Sequence, residues 1–253
     1  MGLQGGRKMA GMQRLDDILF AQGFGTRRQC AGLIAQGQVQ VQGRVCTDAA
    51  AAFAPQGLLI AVQGQPWQCR IRAYLMLHKP AGYECSQRPG AWPSVYGLLP
   101  APLRQRPAAT KSGAAGVQAA GRLDQDTTGL LLFSDDGAFI HRLAAPRRHV
   151  PKVYEVTLAH AASNEQIARL LQGVALHGEP APVRAAACEA TGSHSLRLTL
   201  TEGKYHQVKR MLAAVGNRVT ALHRSRIGQL ALPADLPAGQ WRWLDEAQLA
   251  LLR

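Results

Sequence analysis

Two stretches of this chain alternate strictly between apolar and polar side chains, and that alternation limits its possible folds more than any other feature. In residues 152–158, Tyr154, Val156 and Leu158 share one face while Val153, Glu155 and Thr157 share the other; in residues 195–201, Leu196, Leu198 and Leu200 turn the same way. A period of two belongs to a strand with one buried face. Residues 38–45 alternate as well, with Gly43 at the turn, and predict a β-hairpin. Residues 129–133 form a short continuous apolar run and predict a buried strand, and residues 74–77 predict another. Helical segments with their own start and stop signals lie between. Leu15, Ile18 and Leu19 have helical spacing before Gly23, and Thr26 with Gln29 makes a capping box ahead of Cys30, Leu33 and Ile34. Ser163 with Gln166 makes a second box, followed by Ile167, Leu170 and Leu171 up to Gly173. Val208, Met211, Leu212 and Val215 follow i, i+3, i+4, i+7 spacing and stop at Gly216. Ser134 or Asp135 is expected to cap a helix that ends before Pro146. Strands interleaved with helices imply an α+β chain whose sheet is mixed and largely antiparallel.

The pattern divides into a small unit and a large one. Residues 14–64 read as a compact α+β unit, residues 65–73 as a linker, and residues 74–232 as a larger domain. Residues 1–13 are expected to be a flexible extension, and residues 233–253 a tail that Trp241 and Trp243 anchor to the larger domain. Residues 89–120 are rich in Pro, Ala, Gly and basic residues, so long loops are expected there, with residues 111–116 mobile.

Charge narrows the function. Twenty-nine Lys and Arg against 16 Asp and Glu give a net charge of +13, which implies a polyanionic partner. A membrane surface fits less well, because no long Lys-rich amphipathic helix is present and no apolar run approaches the ~20 residues needed to span a bilayer. The N-terminus has no apolar core of a signal peptide. The five cysteines are scattered and form no C-x-x-C pair, so free thiols in a reducing cytoplasm are expected rather than disulfides or zinc. His141 and His149 lack a third group at ligand spacing, and no metal or cofactor is expected.

Two clusters could carry chemistry. Gly121-Arg122-Leu123-Asp124-Gln125-Asp126-Thr127-Thr128-Gly129 places two carboxylates, an arginine and hydroxyls just before the buried strand. On spacing alone this is equally a turn whose Asp and Thr side chains bond their own backbone. Residues 201–230 carry Lys204, Lys209, Arg210, Arg218, Arg224 and Arg226 against one acid, Glu202, with Tyr205, His206 and His223 among them. Cations interleaved with aromatics suit RNA, where phosphates and unstacked bases are both gripped.

Residues 14–64 resemble the S4 RNA-binding domain at Arg14-Leu15-Asp16, Arg27-Arg28, Leu33-Ile34 and 37–43. Residues 121–131 resemble the hallmark motif of RNA pseudouridine synthases, Lys152-Val153-Tyr154 the second motif of that family, and residues 202–211 its third. An S4 domain in front marks one branch. Within it, residues 77–86 and 202–211 are most similar to the members that act on 16S rRNA of the small subunit.

The resemblance implies cofactor-free isomerisation of uridine by a monomer. Asp124 would be the nucleophile and Tyr154 the aromatic stacked on the target base. Arg122 would fill the gap left by the flipped uridine, and Lys209 would pair with the catalytic carboxylate. Arg27, Arg28, Lys204, His206, Gln207 and Arg210 would bind RNA. The substrate would be 16S rRNA, naked or in a small-subunit assembly intermediate. A large-subunit 23S site, or a non-catalytic rRNA-binding factor in which Asp124 is a turn residue, are the competing readings.

Overall fold

The computed structural model describes residues 11–108, 115–145 and 148–252. Residues 111–114 of the segment expected to be mobile, and most of the N-terminal extension, lie outside these residues, while Gly116, at the end of that segment, donates to Arg106 O at 2.7 Å. The chain forms two compact units, and the first is discontinuous in sequence, joining residues up to Ala73 with Pro100–Val117.

In the first unit, β1 (Gln13–Arg14) leads into α1 (Leu15–Gln22) and α2 (Arg27–Ala35). Leu15, Ile18 and Leu19 of α1 and Cys30 and Ile34 of α2 are fully buried together. The capping box at Thr26 forms as expected: the Thr26 side chain accepts from Gln29 N and the Gln29 side chain from Thr26 N. β2 (Val39–Val41), β3 (Arg44–Val45), β5 (Leu59–Val62) and β6 (Gln65–Gln68) make an antiparallel sheet in the order β3-β2-β5-β6, while β4 (Ala52–Phe53) pairs with β1.

Two expectations about boundaries are corrected here. Residues 65–68, read as linker, form β6 and pair with β5 from Leu59↔Gln68 to Val62↔Gln65, because the polar residues face outward while Trp67 packs on Phe24. Residues 100–117, read as part of the larger domain, belong to the first unit. There α3 (Ala101–Gln105) lies so close to α1 that a β-carbon at Gly23 would sit 2.1 Å from Pro102 O. Arg106 is buried, donating to Gln22 Oε1 at 3.2 Å and to the carbonyls of Arg70 and Ile71 at 2.9 and 3.1 Å.

The second unit is built on a nine-stranded sheet from β7 (Tyr74–Lys79), β8 (Gln118–Ala119), β9 (Thr128–Ser134), β10 (Lys152–Leu158), β11 (Ala187–Gly192), β12 (Ser195–Leu200), β13 (Val219–Ile227), β14 (Leu230–Ala231) and β15 (Trp241–Trp243). The main order is β11-β12-β10-β13-β9-β7-β15. Every pairing is antiparallel except β13 with β9, so the sheet is mixed and largely antiparallel. Leu130, Leu131, Leu132 and Phe133 of β9 are fully buried, which explains their uninterrupted apolar run. Helices α4 (Gly137–Ala144), α5 (Asn164–Gln172), α6 (Gln207–Ala214) and α7 (Glu246–Ala250) complete the unit. The cap of α4 is Asp136, not Ser134 or Asp135: its carboxylate accepts from Ala138 N and Phe139 N. Trp241 and Trp243 lie on β15, which pairs with β7.

Candidate active site

The parallel seam between β13 and β9 sets the site. Thr128 and Gly129 open β9 opposite His223 and Arg224. Gly129 has φ +109°, and a β-carbon there would meet Arg224 O at 2.3 Å, so only glycine lets the two backbones approach this closely. Residues 121–127 are thereby delivered to the edge of a cavity of about 460 Å³. Its floor is one face of the sheet, with Lys152 and Tyr154 from β10, Leu200 from β12, and Leu222 and Arg224 from β13.

The loop is fixed from below by a lysine. Lys79 is fully buried at the end of β7, and its Nζ donates to the carbonyls of Pro80, Asp124, Gln125 and Thr127 at 2.8–3.1 Å. Burial pushes its pKa below the ordinary lysine value, against the raising effects of Cys85, Asp126 and Asp124. The four carbonyls take the place of water around the ammonium. A turn from Thr127 N to Asp124 O at 3.1 Å closes the loop, and Gly82 N donates to Gln125 O at 2.9 Å.

This arrangement leaves the Asp124 side chain 29% exposed on the cavity wall. Lys209 Nζ lies 3.5 Å from its Oδ2 and His206 Nε2 lies 3.4 Å from its Oδ1. Lys209, expected to pair with Asp124, makes its hydrogen bonds to Asp126 instead, at 2.6 and 2.8 Å, and stands at ion-pair distance from Asp124. Burial alone would raise the Asp126 carboxyl, but the Lys209 bond and charge, with His206, hold it below the usual carboxylate range. His206 adopts φ +47°, rare for a residue with a side chain, at the start of α6. Its ring stacks on Tyr205 with centroids 3.9 Å apart, and Tyr205 is 72% exposed.

Tyr154 is buried on the floor and Arg122 is exposed at the rim, both lining the same cavity as Asp124. Three residues expected to contact RNA make bonds within the protein. Lys204 Nζ donates to Glu179 at 2.6 Å, and Arg210 donates to Glu179 at 3.3 Å and to the carbonyls of Tyr205 and His177. Gln207 is buried, donating to Glu202 at 3.1 Å and accepting from Lys204 N at 2.9 Å. These bonds hold the 202–210 loop in shape. In the first unit Arg27 donates to Asp17 at 2.9 Å and lies 4.2 Å over the Phe20 ring, while Arg28 is exposed.

Sequence reasoning passed over three groups here. Neither Lys79 nor Thr127 is marked by any local pattern, and Arg224 reads only as charge. Arg224 is 2% exposed on β13, a strand that no clean alternation announces, so no sequence signal singles it out.

Comparison with known proteins finds relatives along nearly the whole chain. The family described as RNA pseudouridylate synthase matches residues 73–214, and the S4 domain matches residues 13–52. Among curated relatives, the ribosomal small subunit pseudouridine synthase A of Escherichia coli (strain K12) is 41% identical over 239 residues, 94% of this chain and 98% of the relative. That of Pasteurella multocida (strain Pm70) is 39% identical with the same coverage. A crystal structure titled pseudouridylate synthase superposes with a TM-score of 0.65 at 34% identity, covering 95% of this chain and 99% of that one.

Proposed function

The chain belongs to the RNA pseudouridylate synthase family, and on that premise we propose that it isomerises one uridine of 16S ribosomal RNA to pseudouridine with Asp124 as nucleophile. The observation that carries this reading is a carboxylate flanked by Lys209 and His206 on the wall of a cavity whose floor holds a tyrosine. A uridine must leave its stack to reach such a carboxylate, which costs a few kcal/mol. Tyr154 offers the ring face for the extruded base, and Arg122 at the rim is placed to fill the gap left behind. Asp124 then acts on the sugar or the uracil while the C1′–N1 bond breaks, the base turns, and C5 joins C1′. Lys209 and His206 orient the carboxylate through opposite oxygens. Product and substrate are isomers, so no redox partner or group donor enters the balance.

The S4 unit, through Arg27 and Arg28, is assigned the phosphate grip. We propose that it works as a monomer, in the cytoplasm, on naked RNA or an assembly intermediate. Among the described residues no helix is long and apolar enough to cross a membrane. Mapping pseudouridines in both rRNAs of a deletion strain tests the target: one uridine of 16S rRNA should lose its modification. Restoration by wild type but not by Asp124→Asn, with RNA binding retained, is the expected result. Loss at a 23S position instead, or rescue by the Asn variant, overturns the proposal.

A further inference from the structure

Two residues that line the active-site cavity each carry a buried polar atom with no hydrogen-bond partner among the described residues: Arg224 Nη2 and Thr127 Oγ1. Unmet buried polar groups are rare in folded proteins and costly, the more so if charged. Arg224 is held in place, since its Nε donates to Leu130 O at 2.9 Å and its strand position faces Tyr154 across β10 and β13. No ion pair joins Arg224 to a carboxylate among the described residues. Lys152, two residues before Tyr154 on the same strand face, adds a second cation to the floor. Burial, with the charge of Arg224, pushes its amino group down to about 8. A cavity lined by two cations, one of them with a guanidinium nitrogen left unbonded, by an unbonded hydroxyl and by a tyrosine fits a flat ligand with carbonyl oxygens.

We propose that Arg224 and Thr127 form the subsite that reads the polar edge of the flipped base, accepting uracil through its carbonyl oxygens and meeting the negative charge it gains when its bond to the sugar breaks. This rests on the isomerase reading of the cavity. The uracil edge presents carbonyl, N–H, carbonyl. The guanidinium can only donate, so it suits a carbonyl, while the hydroxyl can donate or accept. With the guanidinium on the O4 side, cytosine would turn its amino group toward a group that can only donate and leave both unmet. When C1′–N1 breaks, the electron pair stays on the uracil and spreads onto its carbonyl oxygens, and Asp124 meets the positive charge at C1′. When C5 bonds to C1′, the C5 proton is given up and N1 takes one, so the atoms balance without a co-reactant.

The test is single-turnover isomerisation of transcripts carrying uridine, 2-thiouridine or 4-thiouridine at the target, with wild type, Thr127→Val and Arg224→Lys. Thr127→Val is isosteric and removes no protein hydrogen bond, so its melting temperature should not fall. Its rate should drop about tenfold and that of Arg224→Lys about a hundredfold, with RNA affinity kept within about twofold. One thio substitution should slow wild type about tenfold more than it slows the variants. Rates equal to wild type in both variants, or thio costs equal in all three proteins, overturn the subsite alone. A wild type that forms no pseudouridine overturns the reading of the cavity itself. If Arg224→Lys fails to fold, Thr127→Val decides.

Discussion

The Nζ of Lys79, wholly buried, lies 3.0 Å from the carbonyl oxygen of Asp124, so the residue assigned the chemistry is anchored through its backbone from below while its side chain stands between Lys209 and His206. Lys79→Met would leave four carbonyls without their common donor. We expect a loss of about 2–4 kcal/mol in urea melts and a fall of at least about a hundredfold in single-turnover rate. Amide exchange in residues 121–127 should quicken. Activity within threefold of wild type would show that the loop does not depend on this anchor.

Lys209 divides its charge between two carboxylates, and its hydrogen bonds go to Asp126. Asp126→Asn should therefore cost little, about tenfold or less, because Lys209 can close the 3.5 Å gap to Asp124. Lys209→Met should cost about a hundredfold or more and raise the Asp126 carboxyl toward its ordinary value in a carbon-13 NMR titration. Equal losses from the two substitutions would refute this ranking.

Lys152 sets a pH dependence of stability. Its amino group falls from 10.5 to about 8 on folding, burial being the main cause and Arg224 the second. The folded state thus binds the proton less tightly than the unfolded state. The penalty is complete below about 8 and is relieved as pH rises from about 8 toward 10.5. Wild type should gain stability relative to Lys152→Met between pH 7.5 and 9.5 in parallel urea melts. An unchanged or reversed gap would contradict the shift.

Arg27 and Arg28 are neighbours with different surroundings. Arg27 is occupied by Asp17 and the face of Phe20, whereas Arg28 is exposed and makes no ion pair among the described residues. Arg28→Ala should reduce the slope of log K against log salt by about 0.7–0.9, the value of one lost phosphate contact, and Arg27→Ala by less. Filter binding to a 16S fragment across a salt series measures both.

The sequence exposed those features whose cause is local. Alternation in 152–158 and 195–201, and the boxes at Thr26 and Ser163, depend on residues a few positions apart, and each element formed where these signals stood. β13 carried no such mark, because Arg224 occupies an inward position that an apolar residue would normally hold. β6 was hidden by Pro66 and its polar neighbours. The site followed the same rule. The grouping of Asp124 with Lys209 and Tyr154 could be anticipated from motifs, while the approach of His206 to Asp124, the bonds of Lys79 to the carbonyls of the 124–127 loop and those of Lys209 to Asp126 depend on tertiary approach across 45 residues or more.

The docking of residues 100–117 on the first unit has a practical outcome for anyone cutting this protein apart. A truncation that deletes residues 1–73 orphans α3 and strips Arg106 of Gln22, Arg70 and Ile71, leaving a sticky, charged flap on whatever remains. A well-behaved catalytic fragment needs two excisions and a splice between Leu99 and Gln118, not a single scission.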